Sequence, residues 1–361
     1  MVCLPVVARF NASAGSGFST FLGSIFTAAV CPLIGMRSGG LGLLFMGMFS
    51  IGFGMGFADV SANSQAVIAE KLAGSPQMGF FHAVYAIGSF LGALIGGAFA
   101  EANVSVFNNI FIVSAVSMLL SLFFYIPLFT LHEEREAFKT ENRKQKKYEK
   151  RGEKSRFGFN KSLIFICIIG FIAYMAEGSV EDWAVVYFTE SLNASPIMCS
   201  IGFATFSLAI AAGRFLSDNL VQRFGTVRLL QLSGIVSSLG LVAAVFAPYS
   251  PYPILTATVS LGVSGAGLSI SSPIVSSSAG RVPGMVPAEA ISIVTSFAYS
   301  GYFIGPPLFG GLAELLGSLQ WSLLVDALLI LVIAGTFICS GFSLLTFLSC
   351  NNVPCSRQNP Q

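Results

Sequence analysis

The sequence predicts an all-α polytopic membrane protein, and three observations carry that prediction. Of 361 residues, 54% are hydrophobic and 10% charged, with a mean hydropathy of +0.77, whereas soluble domains carry about 25% charged residues. Apolar windows of membrane-crossing length, about 20 residues, recur along the chain. The charges gather in one central segment instead of covering a surface.

About ten windows meet the length requirement. The first, 16–35, follows the polar run RFNASAGS and stops before Arg37. The second, 41–65, stays apolar until Asp59 interrupts it. The third, 79–100, follows the turn residues GSPQ and carries Gly88, Gly92 and Gly96 four apart, a small-residue face that lets helices approach closely. The fourth covers 106–131. After the charged segment come 162–188 and 196–220, the latter opened by Pro196 at a first helical position. Then follow 227–248, 253–277 behind the turn YSPYP, 288–312, and 320–348 behind LGS.

Between the fourth and fifth windows lies LHEEREAFKTENRKQKKYEKRGEKSRFGFNK, residues 131–161, mixed in sign and basic on balance. It reads as a solvated loop, and by the excess of Lys and Arg on cytoplasmic loops it and the C-terminus are cytoplasmic. The net charge of +2 gives no sign of a nucleic-acid partner. Seven cysteines without a CxxC and only two histidines argue against a metal site or a disulfide framework. Cys350 and Cys355, beyond the last window, are open to acylation. The sequons at Asn103 and Asn193 hug the membrane on the outer side and are expected to be unglycosylated. No HExxH, no GxGD and no nucleophile–base pair at helical spacing is present, so no catalytic residue, cofactor or enzymatic activity is expected.

The chain also repeats itself. AIGSFLGALIGGAFAE matches YSGYFIGPPLFGGLAE without a gap, pairing Gly88, Phe90, Gly92, Gly97, Ala100 and Glu101 with Gly301, Phe303, Gly305, Gly310, Ala313 and Glu314. Duplication of a helical unit around a loop is a transporter signature. The second copy holds two helices before the point matching Arg9, so the expectation is an incomplete N-terminal bundle of four helices at 1–131. A loop at 132–160, a six-helix bundle at 161–349 and a tail at 350–361 complete the division, giving about ten of twelve helices.

GFGMGFADVSANSQA with GFFHAVYAIGSFLGALIGG, then AEGSVEDWAVVYFTESL and AAGRFLSDNLVQRFGTVR, resembles the major facilitator superfamily, and within it the fucose-permease-like branch. The resemblance implies a two-bundle fold and a monomeric secondary transporter working by alternating access on a small polar, sugar-like solute, with protons as the coupling ion. It also implies that Asp59 acts in proton coupling and sugar contact, with Asn63 and Gln65 offering amides to the solute. DNLVQRFGTVR resembles the superfamily's cytoplasmic gating loop, with Arg223 and Arg228 in place and Gln222 where an acid is usual.

The residues themselves point the same way. Acids at membrane depth are costly, and they mark substrate or ion pathways. Asp59 and His82 fall at a similar depth, where a pair could exchange a proton. Glu177 and Glu181 share a helix face, Glu177 being the deeper and the expected cavity residue, while Glu181, Asp182 and Trp183 sit at the outer boundary as gate or solvated positions. Arg214 reads as the i, i+4 partner of Asp218 or as a substrate clamp. A transporter-derived membrane scaffold or receptor, or an exporter of a small amphipathic compound, is the alternative function.

Overall fold

The computed structural model describes residues 4–36, 40–73, 78–137, 161–279, 282 and 287–339. Most of the charged loop and the whole tail at 350–361 lie outside the described residues. All described secondary structure is helical. The helices are α1 (Leu4–Ala14), α2 (Ser16–Val30) with a 3-10 turn at Cys31–Gly35, α3 (Gly40–Ala73), α4 (Met78–Glu101), α5 (Val106–Tyr125), α6 (Leu131–Ala137), α7 (Lys161–Leu192), α8 (Pro196–Phe224), α9 (Thr226–Val245), α10 (Pro253–Leu268), α11 (Ser271–Ala279), α12 (Pro287–Leu316) and α13 (Leu319–Cys339).

The apolar windows lie largely on helix, although α5 ends at Tyr125 inside the window 106–131, and 340–348 of the last window lie outside the described residues. Eight described stretches are long and apolar enough to cross a membrane, α10 and α11 together forming one of them, and Leu319–Gly335 is a shorter apolar helix. Large hydrophobic side chains are exposed along α3 and α5, among them Phe45, Phe49, Leu119 and Phe123. In lipid such faces need no cover.

Two compact units emerge, Met1–Phe81 with Phe99–Lys154, and His82–Ala98 with Ser155–Gln361. In the first, α2 and α3 meet at glycines. A Cβ on Gly23 would lie 2.6 Å from the backbone nitrogen of Ala58. Around that contact run polar clamps. Ser61 donates to Asn11 Oδ1 at 3.0 Å. Glu134 of α6 accepts from the backbone N–H and the hydroxyl of Ser16, both at 3.0 Å, placing a carboxylate on the N-terminus of α2. The start of α6 is itself a capping box: Glu133 accepts from the N–H and hydroxyl of Thr130 at 2.8 Å, and these bonds hold its carboxyl below the usual glutamate range.

The second unit is packed through small residues. A Cβ on Gly240 of α9 would lie 2.5 Å from Ser264 N, and one on Gly267 of α10 would lie 2.5 Å from Ser237 N. Serines bridge this seam and the neighbouring one: Ser233 donates to the Gly267 carbonyl of α10 at 2.7 Å, and Ser238 to that of Ala327 in α13 at 2.7 Å. Backbones this close, with hydroxyls satisfied across helices, are how apolar helices associate without a hydrophobic drive.

The glycines of the internal repeat divide in their use. Gly301, Gly305 and Gly310 of α12 lie against α7, where a Cβ on Gly305 would stand 2.8 Å from the Met175 carbonyl. At the matching Gly88 and Gly92 of α4, and at Gly96, nothing lies within 4 Å of the Cβ position among the described residues, so the close approach expected of that stripe is absent. Gly97 does pack, against the Ser200 side chain of α8.

The two sequon asparagines adopt left-handed backbone, Asn103 at φ 57° and Asn193 at φ 50°. Asn103 closes α4, with Val104 N bonded to the Phe99 carbonyl at 2.9 Å and Asn103 N to Ala100 at 3.1 Å. That is a Schellman ending, in which asparagine is the second choice to glycine.

Candidate functional site

Glu177 lies on the buried face of α7, where Ala173, Ala176, Val180 and Ala184 are also buried. Facing it from α8 is Arg214, whose Nη2 donates to Glu177 Oε1 at 2.6 Å and Oε2 at 2.9 Å. Their side chains are 6% and 9% exposed. A buried ion pair is sustained only by good geometry and satisfied bonds. Here one nitrogen serves both oxygens, and Arg214 Nε, also buried, has no partner among the described residues.

Aromatic rings surround the pair. Tyr302 of α12 packs on Gly178, where any Cβ would strike its ring. Tyr174, one turn before Glu177, meets Tyr302 edge to face at 5.4 Å and Tyr299 at 5.8 Å. The Tyr174 hydroxyl shares a 2.8 Å hydrogen bond with Ser272 of α11. The cluster therefore draws on four helices of one unit. Trp183 fixes its far end by donating from Nε1 to the Pro306 carbonyl at 3.0 Å. Pro306 and Pro307 sit inside α12 and remove the donors for two carbonyls one turn earlier.

The other sequence-derived positions stand as follows. Asp182 is exposed on α7. Arg214 takes Glu177 as a partner from another helix, and the side chain of Asp218 lies outside the described ones. Arg223 is exposed in the last turn of α8, its guanidinium 5.9 Å from the Phe224 ring centre, and Arg228 is exposed in the first turn of α9. Asp59 and Asn63 of α3 are joined, Asn63 Nδ2 donating to Asp59 Oδ1 at 3.2 Å. His82 is half-buried on α4. Gln65 is engaged with structure: its Nε2 donates to Ser16 Oγ at 2.7 Å and to the Phe129 carbonyl at 3.1 Å, while its Oε1 accepts from Phe129 N at 2.7 Å. Every polar atom of that amide is occupied by the protein, which leaves a solute little to bind.

Tyr174, Tyr302 and Ser272 did not emerge from the sequence. Their one signal was local: Gly178 beside Glu177 on α7, and the glycines and prolines of YSGYFIGPP on α12, both marks of close helix approach.

The family model for the Major Facilitator Superfamily matches residues 166–346, half of the chain, spanning Glu177, Arg214 and Tyr302. The chain belongs to the major facilitator superfamily. It is a multi-pass membrane transport protein of that superfamily, not an enzyme. An uncharacterised superfamily transporter of Yersinia pestis is 28% identical over 79% of this chain and 69% of its own length. Among solved superfamily structures, the fucose:proton symporter of E. coli aligns over 93% of this chain and 87% of its own, with a TM-score of 0.58 and 14% identity. A proton:xylose symporter aligns over 92% and 82%, with a TM-score of 0.66 and 14% identity. At that identity the likeness is one of fold.

Proposed function

We propose that this superfamily member is a secondary transporter that moves a small polar, sugar-like solute by alternating access, coupled to protons. The observation that carries the reading is the Glu177–Arg214 pair. Charged side chains within spanning helices are costly and are kept where solutes or ions pass. The tyrosines beside the pair offer what a polyol uses, ring faces for its C–H surface and hydroxyls for its oxygens. Solved relatives in fold include symporters of fucose and xylose with protons, which favours the same class here.

In this reading Asp59 with Asn63, and His82 on α4, supply further polar groups to the pathway. The chain works as a monomer, and the central loop and C-terminus face the cytoplasm. Purified protein in proteoliposomes, given a panel of labelled monosaccharides and polyols under an imposed pH gradient, should accumulate at least one of them. Failure to accumulate or exchange any of them would favour a non-transporting membrane scaffold.

A further inference from the structure

At the end of the second unit where α7 and α9 finish and α13 begins, four hydrogen bonds run from side chains to backbone carbonyls of neighbouring helices. Trp183 of α7 donates to the Pro306 carbonyl of α12 at 3.0 Å. Tyr187, one turn further along α7, donates its hydroxyl to the Ala244 carbonyl of α9 at 2.5 Å. Gln320 of α13 donates from Nε2 to the next carbonyl of α9, that of Val245, at 2.7 Å. Ser322 of α13 donates to the Phe309 carbonyl of α12 at 2.5 Å. The links close on themselves: α7 to α9, α9 to α13, α13 to α12, and α12 back to α7. The acceptors on α9 lie in its last turn, where carbonyls run short of intrahelical donors. Tyr187 and Ser322 are buried, so breaking either bond leaves polar groups unpaired away from water.

A ring of links differs from the same links taken separately. Cutting one leaves the helices joined in a line, whereas cutting any two parts them into independent pieces. Further along, α9 and α13 are also drawn together by Ser238 donating to the Ala327 carbonyl, and by Gly234, whose Cβ position lies 2.9 Å from Ala334 N. The helix that carries Arg214, α8, takes no part in the ring. Its close approaches to α7 and α10 are glycine contacts, Gly202 on the Phe188 ring and Gly213 on the side chain of Ser269, just past α10. Contacts of that kind allow the small sliding by which packed helices shift.

We propose that Trp183, Tyr187, Gln320 and Ser322 are positioning residues for the Glu177–Arg214 pair. They fix α7, α9, α12 and α13 as one frame that carries Glu177, and leave α8 with Arg214 as the member that shifts. Glu177 lies within two turns of Trp183, so its carboxylate takes its place from the two bonds that pin α7. This rests on the transport reading for its purpose: the solute path opens at α8 while the frame holds still.

The test is amide hydrogen exchange of the purified protein in detergent, followed at the ends of α7, α9 and α13. Tyr187→Phe and Ser322→Ala each remove one link and keep the helices joined, so each should quicken exchange there by a small factor. The double variant cuts opposite links and should quicken it by about tenfold more than the product of the two, a coupling typical of residues in one network. Ser233→Ala, which removes a buried hydroxyl between α9 and α10 outside the ring, should combine with Tyr187→Phe as a plain product. The infrared stretch of the Glu177 carboxylate, assigned as the component absent from Glu177→Gln, should move in the ring double and stay in place in either single. A role confined to stability would leave it in place in all three. Plain multiplication in the ring double, or an unmoved Glu177 stretch, overturns the proposal. Should that double not fold, Trp183→Phe with Gln320→Leu opens the ring at its other two links and reads the same coupling; loss of folding in both doubles, with the Ser233→Ala pair folded, is that coupling at its limit. Exchange and spectra that behave as expected in a protein that moves no solute would remove the transport reading and leave the frame standing.

Discussion

Arg214 gives both oxygens of Glu177 a single nitrogen, at 2.6 and 2.9 Å, across two helices that both lie in membrane-crossing stretches. The pair is buried well enough that each charge depends on the other. Removing one partner from such a pair costs about 3–5 kcal/mol, because an uncompensated charge stays behind, whereas replacing both by apolar residues is often neutral. Arg214→Gln and Glu177→Gln should each lower the melting temperature in detergent, and Glu177→Leu with Arg214→Met should recover most of it. Flux should be lost in all three. A double variant that melts as low as the singles would mean that the polar surroundings, not the pair, set the stability.

The glycines of α12 and α4 offer a comparison within one chain. A Cβ on Gly305 would stand 2.8 Å from the Met175 carbonyl and 2.9 Å from Ser179 Oγ, while one on Gly92 meets nothing within 4 Å. Overpacking of a tight contact costs about 1–3 kcal/mol. A glycine in a helix gains up to about 1 kcal/mol on becoming alanine. Gly305→Ala should therefore lower the melting temperature and Gly92→Ala leave it level or raise it. Equal losses in the two variants would show that Gly92 faces a helix in the folded protein.

This contrast also marks how far the sequence could be read. The helical class and membrane character followed from apolar windows, since lipid forces every spanning backbone to satisfy itself; of about ten windows, eight described stretches are long and apolar enough to cross a membrane. The acid on α7 and the base on α8 were legible as functional candidates for the same reason: charges there are rare. Their pairing was not legible, because Arg214 had a nearer acid in sequence, Asp218, and spacing along a helix says nothing about which helix lies opposite. Tyr302 and Tyr174 were hidden among nine tyrosines that read equally well as interfacial or core residues. The bonds of Gln65 were not legible either, because nothing in its place near Asp59 and Asn63 points to Ser16 or to the backbone of Phe129.

Gln65 provides a direct test of that distinction. Its amide holds Phe129 by both N–H and carbonyl and reaches Ser16, itself bonded to Glu134. Gln65→Leu removes three hydrogen bonds and leaves the Phe129 backbone groups unpaired, a cost of about 1–3 kcal/mol for each buried group left so. Hydrogen exchange should quicken at Phe129 and through α6 in this variant, with the apparent solute affinity unchanged in flux assays. A weaker affinity with unaltered exchange would place Gln65 in the solute pathway instead.

Asp326 is the other buried acid among the described residues, and its position argues for a different outcome from that of Glu177. It lies in α13 at 0% exposure, and neither carboxylate oxygen has a hydrogen-bond partner among the described residues. An ionised carboxylate there would be an uncompensated charge, whereas a neutral amide of the same shape bears only the smaller penalty of an unpaired polar group. Asp326→Asn should therefore melt no lower than wild type and transport at the same rate, and Asp326→Leu, nearly matched in volume and free of polar atoms, should melt higher. The measurement is a melting curve in detergent with initial flux in proteoliposomes. A fall in either quantity for Asp326→Asn would mean that the carboxyl is used, and would make α13 a second place in this unit where an acid meets an ion or a proton.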